Sequence, residues 1–99
     1  MSSLGSHNPA NGGRVDLHLQ DITATHVTYT VALATATNRW QGVVALAIDD
    51  GSLAWQGGQG ETAPDWLIEF CRGLLRSAWR TRESVAWPRR LTRWRDAKD

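Results

Sequence analysis

The arginine and tryptophan side chains of the C-terminal third have the clearest chemical potential in this sequence. Residues 72–99 contain eight Arg and one Lys against three acidic residues, whereas residues 1–71 contain two Arg against seven acidic residues. Guanidinium groups bind phosphates and carboxylates in a bidentate manner, and Trp rings stack on unpaired bases or anchor protein interfaces. The pattern predicts a partner-binding or polyanion-binding surface made of Arg72, Arg76, Arg80, Arg89, Arg90, Arg93, Trp94 and Arg95.

Two kinds of partner fit this segment, and charge compensation within the chain is a third explanation. A protein partner, or a second copy of the chain, fits because Trp and Arg are enriched at binding hot spots, and the helical wheel adds Trp66 to the polar side of the predicted helix. A nucleic acid is the alternative, because phosphates attract clustered Arg. Such contact is expected from the C-terminal third and not from the sheet surface, since the predicted strands carry only Arg14 and Arg39, near their ends.

Residues that support catalysis or metal binding are not grouped along the sequence. His18 and His26 flank a predicted turn without a clear third ligand, whereas structural zinc sites use four ligands. Cys71 falls on the apolar side of the predicted helix, where a thiol is expected to be buried and unreactive. The loop at residues 57–60 is glycine-rich but lacks the Lys and Ser or Thr of a phosphate-binding loop. We therefore expect a non-enzymatic protein with no cofactor, metal or small-molecule ligand.

Apolar residues that alternate with polar or small ones predict the strands that must position these side chains. The alternation runs through residues 15–20, 27–34 and 40–48, and a short fourth strand is expected at residues 53–55. The Asp-Gly pair ending at Gly51 predicts a hairpin, because Gly supplies the positive φ that a tight turn requires. Short connections between successive strands favour a four-stranded antiparallel meander.

One long helix is predicted at residues 63–80, with Thr62 as its N-cap and Pro64 in its first turn. Its apolar side should cover the sheet face that carries Tyr29, Val31, Leu33, Val44 and Leu46. The basic segment after it completes the domain, and from Pro88 onward the sequence is compatible with a short second helix. The fold class is therefore α+β, with one helix on one face of the sheet.

Length and composition indicate one small domain of 99 residues with a formal net charge of +1. Residues 1–13 are rich in Ser, Asn and Gly and are expected to be a disordered tail, so that residues 14–99 form the domain. The first residues of the sequence have neither the basic nor the apolar region of a secretory signal. Residues 88–98 have too little apolar surface to insert firmly into a membrane surface. We expect a cytoplasmic protein, and its many Arg, Ala and Gly residues are typical of a bacterial source.

Overall fold

The computed structural model describes residues 12–95 and shows an α+β fold with one antiparallel sheet and one helix. The strands are β1 (Gly13–Ile22), β2 (His26–Ala34), β3 (Arg39–Ala47), β4 (Leu53–Gly58) and β5 (Arg90–Arg95). They are ordered β4-β3-β2-β1-β5, and all neighbouring pairs are antiparallel. The helix α1 (Asp65–Arg80) follows a 3-10 turn at Gly60–Thr62. This architecture confirms the predicted meander with one helix and adds a fifth strand.

The predicted N-terminal tail lies almost wholly outside the described residues. Its last residue, Gly13, belongs to the fold, because β1 begins there and the glycine is buried. A Cβ at Gly13 would stand 2.7 Å from Cδ1 of Leu67 and 2.9 Å from Cη2 of Trp66. The glycine therefore lets α1 approach the end of β1 closely.

The two faces of the sheet differ as the alternating pattern requires. The face under α1 carries the apolar residues of β1, β2 and β3, and these form the core with Leu67, Cys71 and Leu75 of the helix. The other face is uncovered within the described residues and carries mainly Thr, Ala, Gln and a few charged side chains. We call it the open face. The predicted packing of the helix on the sheet is confirmed.

The start of α1 differs from the prediction. The hydroxyl of Thr62 donates to the Gln59 carbonyl at 2.7 Å and closes the 3-10 turn, so Thr62 is not the N-cap. Pro64 occupies the N-cap position, with no side-chain hydrogen bond, and its carbonyl accepts the N–H groups of Leu67 and Ile68. Proline suits this boundary because it lacks the N–H that the first turn leaves unpaired.

The C-terminal segment forms β5 and not a second helix, so that prediction is wrong. β5 pairs with β1 over six positions, from Gly13 opposite Arg95 to His18 opposite Arg90. A helix of the same length would gain little on its own, because isolated short helices are marginal in water. As a strand, the segment forms hydrogen bonds with the backbone N–H and C=O groups of β1, along an edge that the four-stranded meander leaves unpaired. The chain crosses from the β4 edge to the β1 edge through α1.

Two side-chain hydrogen bonds fix the ends of α1 and β5 against the sheet. Trp79 donates from Nε1 to the carbonyl of Ile48 at 2.8 Å, which ties the helix C-terminus to the β3–β4 turn. Gly51 in that turn has φ +75°, which is the positive φ expected for the predicted hairpin. The same glycine lies against the Trp79 ring. The buried Tyr29 donates from its hydroxyl to the carbonyl of Pro88 at 2.7 Å and so anchors the chain just before β5.

Candidate functional site

The eight residues predicted to form a binding surface are distributed over three places. Arg72, Arg76 and Arg80 lie on the solvent side of α1. Arg89 precedes β5, and Arg93 and Arg95 pair with core-facing residues of β1, which places them on the helix side of the sheet. Arg90 and Trp94 project from the open face. The structure therefore brings five of the eight onto β5 and its start but does not join them to the helix arginines in one continuous stripe.

The outer side of α1 has the character of a solvated helix face. Arg72 forms an ion pair with Glu69, with 3.6 Å between Nε and Oε2, and both side chains are substantially exposed. Exposed pairs of this kind contribute little to stability, typically below about 1 kcal/mol. Trp66, expected on this polar side, instead packs against the core and covers Gly13. The missing side chain of Gly13 makes the room for the indole, which a helical wheel cannot show.

A groove of about 290 Å³ lies between the C-terminal half of α1, the connection at residues 81–89 and β5. We call it the β5 groove. Its lining is mostly apolar or small and includes one charged side chain: Leu74, Ser77, Ala78, Thr81, Val85, Ala86, Pro88, Leu91 and Arg93. Val85 is one of the most exposed large apolar residues, with 59% of its surface accessible. The groove can hold a side chain of about valine or leucine size beside β5.

The outer edge of β5 presents backbone groups that no neighbouring strand occupies within residues 12–95. The N–H of Leu19 donates to the Arg89 carbonyl at 2.8 Å, so these residues form a hydrogen-bonded pair of the antiparallel ladder. Such pairs alternate along the ladder, and the N–H and C=O groups of Arg90, Thr92 and Trp94 therefore point away from β1. Among these groups, the Thr92 carbonyl accepts a hydrogen bond from the guanidinium of Arg93 at 2.8 Å.

Two salt bridges form within residues 12–95, Arg14–Asp16 and Arg72–Glu69. Neither of them involves the β5 arginines, so no carboxylate in this range pairs with Arg90, Arg93 or Arg95. The guanidinium of Arg95 lies over the Phe70 ring, 5.7 Å from its centroid. Arg93 is held at the outer edge through its bond to Thr92. The edge strand is thus bordered by positive charge on both faces of the sheet, which a negatively charged partner would complement.

On the open face, β5 is joined to β1 by a polar cluster of four side chains. Asp16 accepts a short hydrogen bond from the Thr92 hydroxyl, and its other oxygen lies 3.2 Å from Nε of Arg14. The Arg14 guanidinium lies over the Trp94 ring, 5.5 Å from the centroid. Since Arg14 and Asp16 are largely buried by these contacts, they serve mainly to fix β5 in register.

The same row of the open face contains a further arginine. The pairing register places Trp94, Arg14, Ala34 and Arg39 side by side across β5, β1, β2 and β3. Trp94 has 55% of its surface exposed. The expectation that the strands carry only Arg14 and Arg39 is wrong, because residues 90–95 form β5 and add Arg90, Arg93 and Arg95 to the sheet.

The histidines are separate. His18 pairs with Thr30 and His26 with Ala47, so the two rings stand several residues apart along the sheet. The ring Nδ1 of His26 lies 2.9 Å from the Thr25 hydroxyl. No cluster of three His, Cys, Asp or Glu residues with metal-binding geometry occurs among residues 12–95.

Cys71 and the glycine loop have structural environments. Burial raises the pKa of the Cys71 thiol from 9.0 to about 12, which opposes thiolate formation and nucleophilic reactivity. Gly60 at the end of the loop packs against the Trp55 ring, since a Cβ at this position would collide with a ring carbon. The prediction that the Cys71 thiol is buried is confirmed.

Sequence reasoning selected the residues of β5 but missed the groove and the backbone edge. Both depend on the pairing of β5 with β1, which joins distant parts of the chain. The available signal was the presence of the β-branched Thr92 and the aromatic Trp94 after Pro88, because residues of these types favour strands.

Comparisons with known proteins give no match, whether with family models, curated proteins or solved structures. No helix in residues 12–95 is long and apolar enough to cross a membrane. The interpretation of β5 and its groove therefore rests on their own geometry.

Proposed function

We propose that this chain is a non-enzymatic protein-interaction module that binds an extended segment of a partner protein along the outer edge of β5. The observation that carries the proposal is the combination of a strand edge that no other strand of residues 12–95 pairs with and a side-chain groove directly beside it. In this mode of recognition, backbone hydrogen bonds to the edge strand supply affinity, and pockets for alternate side chains supply selectivity. The β5 groove would receive those side chains of the bound segment that face α1.

A heterologous partner fits this edge better than a second copy of the chain. Antiparallel pairing of β5 with another β5 would bring the arginines of both strands, Arg90, Arg93 and Arg95, onto the same narrow ribbon. Like charges on directly opposed strands destabilise pairing, and charged edge residues are a known protection against self-association. Charge repulsion therefore disfavours pairing of β5 with a second β5, whereas a segment of different charge can still pair with this edge.

The test uses a proline that blocks the edge without disturbing the ladder to β1. Thr92→Pro removes an N–H that points outward, and proline is tolerated on an edge strand at such a position. Thr92→Val is the matched control, because it also loses the hydroxyl bond to Asp16 but keeps the backbone donor. Random twelve-residue peptides displayed on phage are selected on the unmodified chain, and binding of the selected peptides is measured for both variants.

The expected result is that the selected peptides bind Thr92→Val and lose at least tenfold in affinity for Thr92→Pro. Amide exchange at Arg90, Thr92 and Trp94 should slow when peptide is bound, because their N–H groups become hydrogen-bonded. If every selected peptide binds the two variants equally, the edge is not the binding site and the proposal fails.

A second candidate, nucleic-acid binding, is favoured by the exposed Trp94 ring beside Arg14 on the open face. An unpaired base could stack on the indole while Arg90 and Arg39 contact phosphates. Titration of single- and double-stranded oligonucleotides at low and moderate salt tests this candidate, with Trp94→Ala as the variant. A phosphate-driven site weakens steeply as salt rises, and the absence of binding at low salt would end this candidate.

A further inference from the structure

We infer that the segment bound along β5 is acidic, with carboxylates at the positions beside Arg90, Arg93 and Arg95 and one aliphatic side chain beside Leu91. This inference rests on the proposed function, since it assigns the chemistry of the ligand at the same edge. Its basis is the charge and shape of β5 at each of its six positions.

The helix side of the edge has one apolar position, Leu91, followed by two basic positions, Arg93 and Arg95. Leu91 borders the β5 groove together with Leu74 and Val85, so a ligand residue beside Leu91 has an apolar pocket. Beside Arg93 and Arg95 the ligand meets guanidinium groups that make no ion pair within residues 12–95. Carboxylates satisfy such groups with charge-assisted hydrogen bonds.

The open-face side has a different pattern. A ligand residue beside Arg90 again meets a guanidinium, whereas those beside Thr92 and Trp94 meet a hydroxyl and a ring. The nearest acid on this face of β1, Asp16, is already engaged by Arg14 and Thr92 and does not neutralise Arg90. A strand with basic residues would face repulsion at three of its six positions.

The backbone geometry makes the charge contacts close. Because Arg90, Thr92 and Trp94 direct their backbone groups outward, an added antiparallel strand forms its hydrogen-bonded pairs with them. Leu91 and Arg93 then stand in non-hydrogen-bonded pairs, in which opposed side chains are nearer to each other. The aliphatic contact at Leu91 and the carboxylate contact at Arg93 therefore occur at the closest positions along the edge.

The antiparallel ligand that satisfies all six positions reads Glu-Thr-Glu-Thr-Val-Glu. We would measure binding of this peptide, flanked by Gly-Ser and labelled with fluorescein, to the full chain by fluorescence anisotropy. The matched peptide replaces each Glu with Gln, which keeps the shape and strand pairing but removes the charge. The expected result is about tenfold weaker binding of the Gln peptide at low salt, a difference that shrinks at high salt because exposed ion pairs are screened.

Protein variants locate the charge effect. Arg93→Gln should weaken binding of the Glu peptide several-fold and leave the affinity for the Gln peptide unchanged. This is the pattern that a direct interaction gives in a double-mutant cycle. Arg76→Gln is the control, because it removes the same charge from the outer side of α1. Equal losses from the two variants would mean that only the net charge matters, and this would overturn the inference.

The outcomes separate the ligand chemistry from the binding edge. If the Glu and Gln peptides bind equally and Thr92→Pro abolishes both, the edge is the site but the acidic inference is wrong. If Thr92→Pro binds the Glu peptide as Thr92→Val does, both the inference and the proposed function fail. Displacement of the peptide by a single-stranded oligonucleotide at equal concentration would show a general polyanion site and would likewise overturn the assignment to an acidic peptide.

Discussion

Alkaline destabilisation of this fold should depend almost entirely on two buried acids, the Cys71 thiol and the Tyr29 hydroxyl. Burial raises the pKa of Cys71 from 9.0 to about 12 and that of Tyr29 from 10.0 to about 12. The chain contains one Cys, one Tyr and one Lys, and its Arg residues do not deprotonate in this range. Few other groups therefore contribute to the pH dependence of stability between pH 9 and 12.

The sign follows from the raised pKa values. Well below pH 9 both groups are protonated in the folded and unfolded chain, and stability does not depend on their titration. As pH rises, the unfolded chain loses its protons first, so the free energy of unfolding falls until the folded-state pKa is reached. Near pH 10.5 the loss is about 2 kcal/mol from Cys71 and about 0.8 kcal/mol from Tyr29, a large share of a typical domain stability.

The assay is guanidinium denaturation followed by Trp fluorescence at about pH 8 and about pH 10.5, under reducing conditions. Unmodified protein should lose about 3 kcal/mol between the two conditions, whereas Cys71→Ala should lose about 1 kcal/mol. Each protein is compared with itself, so the packing cost of the substitution cancels. An equal loss in both proteins would mean that Cys71 is not buried as the structure describes, and the reasoning on the core side of α1 would be refuted.

Two further pairs of variants test the packing around α1. Gly51→Ala should destabilise the fold by about 1–3 kcal/mol in chemical denaturation, because the positive φ is strained for alanine and the new Cβ would stand 2.7 Å from the Trp79 ring. Gly57→Ala should change stability far less, because a Cβ at that position would meet nothing within 4 Å. A similar loss of stability for both variants would contradict the turn geometry. Leu75→Ala should cost about 2–5 kcal/mol as a fully buried residue, while exposed Arg76→Ala should change stability by less than about 0.5 kcal/mol. A reversed order would show that the helix is rotated.

The meander and the helix could be predicted because their signals are local. In β1 and β2, core residues such as Leu17 and Val31 alternate with polar or small neighbours, and this alternation indicates which face of each strand is buried. Gly51 indicates the turn between β3 and β4. The apolar side of α1 follows from its 3.6-residue period. These features depend on residues near one another in the chain, so pattern and structure agree.

The edge strand and its groove could not be predicted in the same way. In β5 the positions on the helix side are Leu91, Arg93 and Arg95, so the apolar alternation stops after one residue. The segment forms a strand because β1 offers a free edge and Asp16 offers a partner to Thr92. Both are properties of the assembled sheet. The candidate residues were thus identified by type, whereas their division among three surfaces needed the pairing of distant segments.

The pairing of β1 with β5 also has a consequence for synthesis. β1 is made before β5, and its outer side stays unpaired until residues 90–95 leave the ribosome, because Gly13 pairs with Arg95 and His18 with Arg90. The nascent meander therefore exposes a strand edge after its other strands and α1 have been made. Premature termination before residue 90 would leave that edge open and prone to aggregate, so we expect such a truncation to be as damaging as a substitution in the core.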